Sequence, residues 1–150
     1  LAIIATVSNH AKYQLALGAI NLNTGGDTLQ AILMKDTFGA VFDADTHGTL
    51  DSVTSGTDYQ LATSGGYTKN DEVLANQAVA EDDVNDKAAF TCDDVTFTAT
   101  AGGFGPTGGW CLVDTTTADD TIICYVDFGE DYTIASGSSL QLQDIAVSLT

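Results

Sequence analysis

Residues 110–130 constrain this chain more than any other stretch, because they form its longest apolar, β-branched and aromatic tract. Two runs rich in Ile, Val, Tyr and Trp flank a polar segment from Asp114 to Thr121, the pattern of two paired strands and their connection. In the second run Ile122, Cys124, Val126 and Phe128 share one parity and Ile123, Tyr125 and Asp127 the other, so both faces are largely apolar. A strand covered on both sides belongs at the centre of a sheet, under another sheet or a helix. The other strands are expected as layers around this hairpin.

Before the hairpin, residues 1–7 are apolar and β-branched and read as a first strand or an arm. Ser8 or Asn9 can cap a short helix over His10 to Leu17, with Tyr13 and Leu17 on one face and Gly18 as its stop. Residues 28–35 read as a strand with mixed cover, and residues 36–64 lose clear periodicity, which marks them as a functional loop or as hidden short strands. Residues 73–80 and 87–92 bracket an acidic turn and predict a second hairpin. Over residues 94–100, Val95, Phe97 and Ala99 alternate with threonines, so this strand should be half exposed.

Residues 102–109 carry five glycines and the only proline, and read as a connection. In the last stretch Leu140 and Leu142 keep one parity while Ile145, Val147 and Leu149 keep the other, so a β-bulge is expected at Gln143-Asp144. Seven or eight strands with turn signals between them predict a sandwich or barrel. The reading adopted is mainly β: one domain over residues 1–150, an antiparallel β-sandwich, Ig-like or jelly-roll-like, with one short N-terminal helix.

Charge narrows the partners. Lys12, Lys35, Lys69 and Lys87 are the only cations against 21 acids, giving a net charge of −17. Such a field repels phosphate backbones and anionic headgroups, so neither nucleic acid nor a membrane surface is expected as a partner. The longest apolar run, residues 1–5, is far short of the ~20 residues that span a bilayer. No basic residue precedes it, so it does not read as a signal peptide.

The residues that could carry chemistry do not assemble into a motif. His10 and His47 lack metal-ligand spacing, and no Gly-x-Ser-x-Gly elbow is present. The acid clusters Asp82-Asp83-Asp86, Asp119-Asp120 and Asp127-Glu130-Asp131 could offer oxygens to Ca²⁺, but none follows the calcium-loop pattern, and solvated turn tips are the simpler reading. The glycines of residues 102–109 lack the Lys and Ser/Thr of a phosphate loop. Cys92, Cys111 and Cys124 fit neither a metal site nor an even disulfide framework. If Val113 faces Ile122, Cys111 faces Cys124, which makes a cross-strand disulfide conceivable, with reduced buried thiols the preferred reading. The expectation is therefore no catalytic residue, no metal ligand and no cofactor.

Four segments in order, Asn9-His-Ala-Lys-Tyr-Gln-Leu-Ala-Leu-Gly-Ala-Ile-Asn-Leu22, Leu29-Gln-Ala-Ile-Leu-Met34, Leu74-Ala-Asn-Gln-Ala-Val79 and Ile122-Ile-Cys-Tyr-Val-Asp-Phe-Gly129, resemble a family of small virion proteins of tailed bacteriophages. The resemblance runs from about Asn9 to Thr150 and departs at residues 36–56 and 102–109. It implies a β-rich structural subunit on the capsid surface, a decoration or cement protein whose partners are the major capsid protein and copies of itself, and it brings no catalytic residue. The alternative is a tail- or fibre-associated adhesion module binding host carbohydrate through aromatic residues such as Phe38, Phe42, Tyr59, Phe104 and Trp110, although Trp110 sits in a strand and reads better as core. Self-association should use the uncharged residues 1–7 and 102–109, with salt or divalent cations screening the acids.

Overall fold

The computed structural model describes residues 4–149. Its elements in chain order are β1 (Ile4–Val7), α1 (Asn9–Ala16), β2 (Leu29–Lys35), α2 (Leu50–Thr54), β3 (Ala78–Asp82), β4 (Lys87–Thr91), β5 (Val95–Thr98), β6 (Phe104–Asp114), β7 (Thr121–Ile134), β8 (Ser139–Leu142) and β9 (Ala146–Leu149). The strands pair antiparallel in three sheets, ordered β1-β7-β6-β2, β3-β4-β9 and β5-β8. The fold is mainly β and sandwich-like, with α1 as its short N-terminal helix.

β6 and β7 are the two central strands of the four-stranded sheet, and both of its faces are dry. On the inner face Leu29, Ala31, Leu33, Trp110, Leu112, Cys124 and Val126 pack with Val95 and Phe97 of β5, Phe90 of β4, Leu142 of β8 and Val147 of β9. The two small sheets are therefore the second layer. On the outer face Ile32, Met34, Cys111, Val113, Ile122 and Tyr125 pack beneath Phe38 and Val53, with Phe42, Leu50 and Tyr59 at the margin. The aperiodic stretch after β2 is thus neither an open loop nor a hidden sheet. It is a lid over the outer face, and α2, a five-residue helix closed by a capping box between Thr49 and Ser52, carries Val53 into that core.

The same stretch also closes the free edge of β2. Lys35 N donates to Tyr59 O and Leu61 N to Leu33 O, while Ala31 N donates to Glu72 O and Leu74 N to Leu29 O. An exposed row of unpaired backbone groups is an aggregation hazard, and these two segments remove it. Residues 73–77 are therefore not the first arm of the second hairpin, which begins at Ala78 and pairs Ala78 with Thr91 through to Asp82 with Lys87.

Three further expectations are corrected. Residues 104–109 are not a connection but the first half of β6, and Gly109 lies against Tyr125, where an added Cβ would come within 2.6 Å of the phenol oxygen and 2.4 Å of Val126 O. Glycines there let the ring cross the strand, at the cost of the apolar periodicity by which a strand is recognised. The phase slip at Gln143-Asp144 is a change of sheet, not a bulge: β8 pairs with β5, β9 pairs with β4, and Asp144 takes φ +49° between them. A bulge does occur in the central hairpin. Val113 faces Ile122 as expected, but Leu112 faces Cys124, so Ile123 is the extra residue and Cys111 faces Tyr125.

The strand reading of residues 1–7 holds for Ile4–Val7, which pairs with Cys124–Asp127 of the same chain; residues 1–3 lie outside the described residues. Helix α1 starts one residue before the expected span. Ser8 caps it, accepting from Ala11 N at 3.0 Å while its hydroxyl donates to Ile122 O at 2.6 Å. Among the described residues no helix is long and apolar enough to cross a membrane.

Candidate functional site

His10 sits on the first turn of α1 and reaches the β6–β7 turn, its Nε2 lying 2.7 Å from Asp119 Oδ2 and 3.3 Å from the Gln14 amide. Thr121 donates to Asp119 Oδ1 at 2.8 Å and receives the Thr117 hydroxyl at 3.2 Å. Partial burial opposes charge on Asp119, but the bonds from Thr121 and His10 outweigh it and hold the carboxyl below its usual range. The hydroxyl here bonds to the carboxylate and not to the imidazole. A proton relay needs the imidazole in the middle, taking the hydroxyl proton, so this set clamps α1 to the turn and does not activate a nucleophile.

His47 is used differently. Its Nδ1 accepts from Asp43 N at 2.9 Å, and its ring stacks on Phe42 and meets Phe38 edge-on at 5.5 Å between centroids. Three of the lysines are also engaged: Lys69 pairs with the Asp58 carboxylate, Lys35 donates to Asp58 O, and Lys87 reaches Ser148 Oγ at 3.2 Å and Asp82 at 3.8 Å.

The acid clusters divide. Asp82, Asp83 and Asp86 lie at or beside the β3–β4 turn and Asp119 and Asp120 on the β6–β7 turn, whereas Asp127, Glu130 and Asp131 run along the exposed part of β7 rather than at a turn tip. Among the described residues no three acidic, histidine or cysteine side chains converge as a metal site. The three cysteines carry free thiols. Cys111 belongs to the outer core and Cys124 to the inner core, so the bulge at Ile123 has placed them on opposite faces of the sheet. Burial pushes the Cys92 thiol up to about 11 and Cys124 up to about 12, so none of these sulfurs is an activated nucleophile.

The best-formed concavity opens between β7 and the β8–β9 strands. It has a volume of about 230 Å³, with Trp110, Val126, Leu142 and Val147 in its lining and Gln141, Gln143 and Asp144 as the polar contribution. Phe128 and Tyr132 stand beside it in an edge-to-face pair, 5.7 Å apart. Of the aromatic residues that the adhesion reading offers, Phe38 and Phe104 are buried and Phe42 and Tyr59 are half-buried in the outer cluster, while Trp110 lies in the core, as its strand position implied. Phe128 and Tyr132 carry no such role in the sequence reading. Both lie on β7 beyond Asp127, where the pairing of the described residues of β1 ends.

Comparison with protein-family models, with curated proteins and with solved structures finds no match.

Proposed function

We propose that this chain is a non-enzymatic structural protein of a tailed-bacteriophage particle, seated on the head exterior as a decoration or cement subunit. The observation that carries a structural role is how the chemically capable side chains are used. His10 clamps a helix, His47 packs in an aromatic cluster, the cysteines are packed as small apolar groups, and Lys35, Lys69 and Lys87 tie loops and strands together. Held in these contacts, the side chains tie helix, loops and strands of one subunit together, and none of the contacts described pairs a nucleophile with a base. The assignment to a phage particle rests on the resemblance of residues 9–22, 29–34, 74–79 and 122–129, and with it come the expected partners, the major capsid protein and further copies of this chain.

The acid-rich surface suits a subunit with solvent on its outer side. The adhesion reading is favoured by one feature, the cleft beside Phe128 and Tyr132, where aromatic edges and glutamine amides could meet a sugar ring. Counting copies in purified particles separates the two. A number comparable to the major capsid protein is expected; a number comparable to the tail fibres, together with glycan binding lost in Tyr132→Ala, would favour adhesion instead.

A further inference from the structure

Asp114 ends β6 with its side chain fully buried, between Leu29 of β2 and Thr121 of β7. Its Oδ1 accepts from Thr116 N at 2.8 Å and Thr117 N at 3.4 Å. Its Oδ2 is buried and meets no donor among the described residues. A second carboxyl adjoins it, that of Asp27, two residues before Leu29, the register partner of Asp114; its Oδ2 accepts from Asn21 N at 2.6 Å. Two carboxylates cannot both keep their charge cheaply when one of them is out of water. A single proton between them resolves this, because a protonated carboxyl becomes a donor and the orphaned Oδ2 gains a partner.

The place is a junction of two loops. Thr28 N donates to Thr116 Oγ1 at 2.8 Å and Thr115 N to Thr28 O at 3.0 Å, while Gln77 holds the carbonyls of Asn23 and Asp27 from the other side. The charged groups on the surrounding elements are Asp119 and Asp120 on the turn, His10 and Lys12 on α1, and Asp71 and Glu72 on the segment bordering β2. His10 is bound to Asp119, and neither it nor Lys12 forms an ion pair with Asp27 or Asp114 among the described residues. We propose that Asp27 and Asp114 form a proton-sharing latch joining the loop before β2 to the β6–β7 turn, closed in mild acid and loosened as the pH rises.

Burial, opposed by the Thr116 N–H and reinforced by the Asp27 carboxyl, pushes Asp114 up to about 6. The native state therefore binds the shared proton more tightly than the unfolded chain does. The latch contributes fully below the ordinary aspartate range, and its contribution is lost as the pH rises from there through about 6.

Asp114→Asn keeps an acceptor for Thr116 and supplies a permanent donor toward Asp27, imitating the protonated pair at every pH. Thermal melts of the whole chain across a pH series should show the variant equal to wild type below the ordinary aspartate range, diverging as the pH rises and melting several degrees higher at neutral pH. Amide exchange over residues 24–28 and 115–118, compared at the same neutral pH, should be slower in the variant. The remaining acids are common to both proteins, so the difference isolates the pair. Parallel pH profiles of wild type and Asp114→Asn would overturn the proposal. So would a carboxyl-carbon NMR titration of wild type placing Asp114 in the ordinary aspartate range. If Asp114→Asn does not fold, Asp27→Asn offers the same donor from the other side and the NMR titration stands unaltered. Stabilisation of wild type by calcium at neutral pH, absent from Asp114→Asn, would put a cation where the latch requires a proton and would also overturn it.

Discussion

Gly109 shows what a single residue can decide in this fold. The Tyr125 ring occupies the space a Cβ would need, and Val126 O lies on the same side, so a side chain must displace backbone or the ring. Gly109→Ala should cost about 1–3 kcal/mol, measured as a shift in urea midpoint at unchanged slope. Titration is also decided residue by residue. Asp58 and Asp119 are both held below their usual range. Burial opposes the charge on each, but Lys69 outweighs it at Asp58 and Thr121 with His10 at Asp119; the stability these carboxylates contribute is present above the ordinary aspartate range and lost as the pH falls through their lowered folded values. Asp114 acts in the opposite sense, so thermal stability should peak in mild acid between those losses and about pH 6, and decline toward neutrality. A maximum at neutral pH would contradict this. The thiols are legible only in part. That they are buried followed from residue type, whereas the bulge at Ile123 that separates Cys111 from Cys124 leaves no mark in a run where every residue is apolar. A thiol reagent applied to the native protein should modify Cys92, half-buried, well ahead of Cys111 and Cys124.

At the scale of elements, the lid over residues 36–61 is the part that alternation could not reveal. Its apolar residues, Phe38, Phe42, Leu50, Val53 and Tyr59, show no sustained period, because only Leu50 and Val53 share a regular element, the short α2, and the others descend onto the sheet from turns and irregular backbone. The double-sided apolar character of residues 122–126 did require such a cover, and that requirement was readable in the central strand rather than in the lid itself. Phe38→Ala, which empties the centre of a cluster where Phe42, Tyr59, Tyr125 and His47 all meet the ring, should cost about 3–5 kcal/mol. Ser8→Ala loses both the α1 cap and the hydroxyl bond to Ile122 O, and a cost of about 1–2 kcal/mol is expected in the same assay. β5 was legible because one of its faces is wet, so threonine alternates with Val95 and Phe97. β6 was legible only from Trp110 onward, since Gly105, Gly108 and Gly109 carry no side chain from which a period could be read.

At the scale of the whole molecule, a net charge of −17 on a 150-residue chain makes copies repel one another, and close packing on a shared surface must overcome that repulsion. Ile4–Val7 is paired with β7 of its own chain, and Phe104, Thr107, Gly108 and Gly109 are buried within the subunit; among the described residues of these two segments, the outer edge of β1, Gly102 and Pro106 are open to a neighbour, with Gly103 and Gly105 half-buried. Deleting residues 1–7 should therefore lower thermal stability as well as any association. A subunit of the head exterior, as proposed, should bind heads that lack it, which is measured by titrating purified protein onto undecorated heads and counting the bound copies by sedimentation across a salt series. Binding should saturate at a stoichiometry set by the capsid lattice, with occupancy rising as added salt or divalent cations screen the acids. Heads that sediment without the protein at every salt concentration would contradict it.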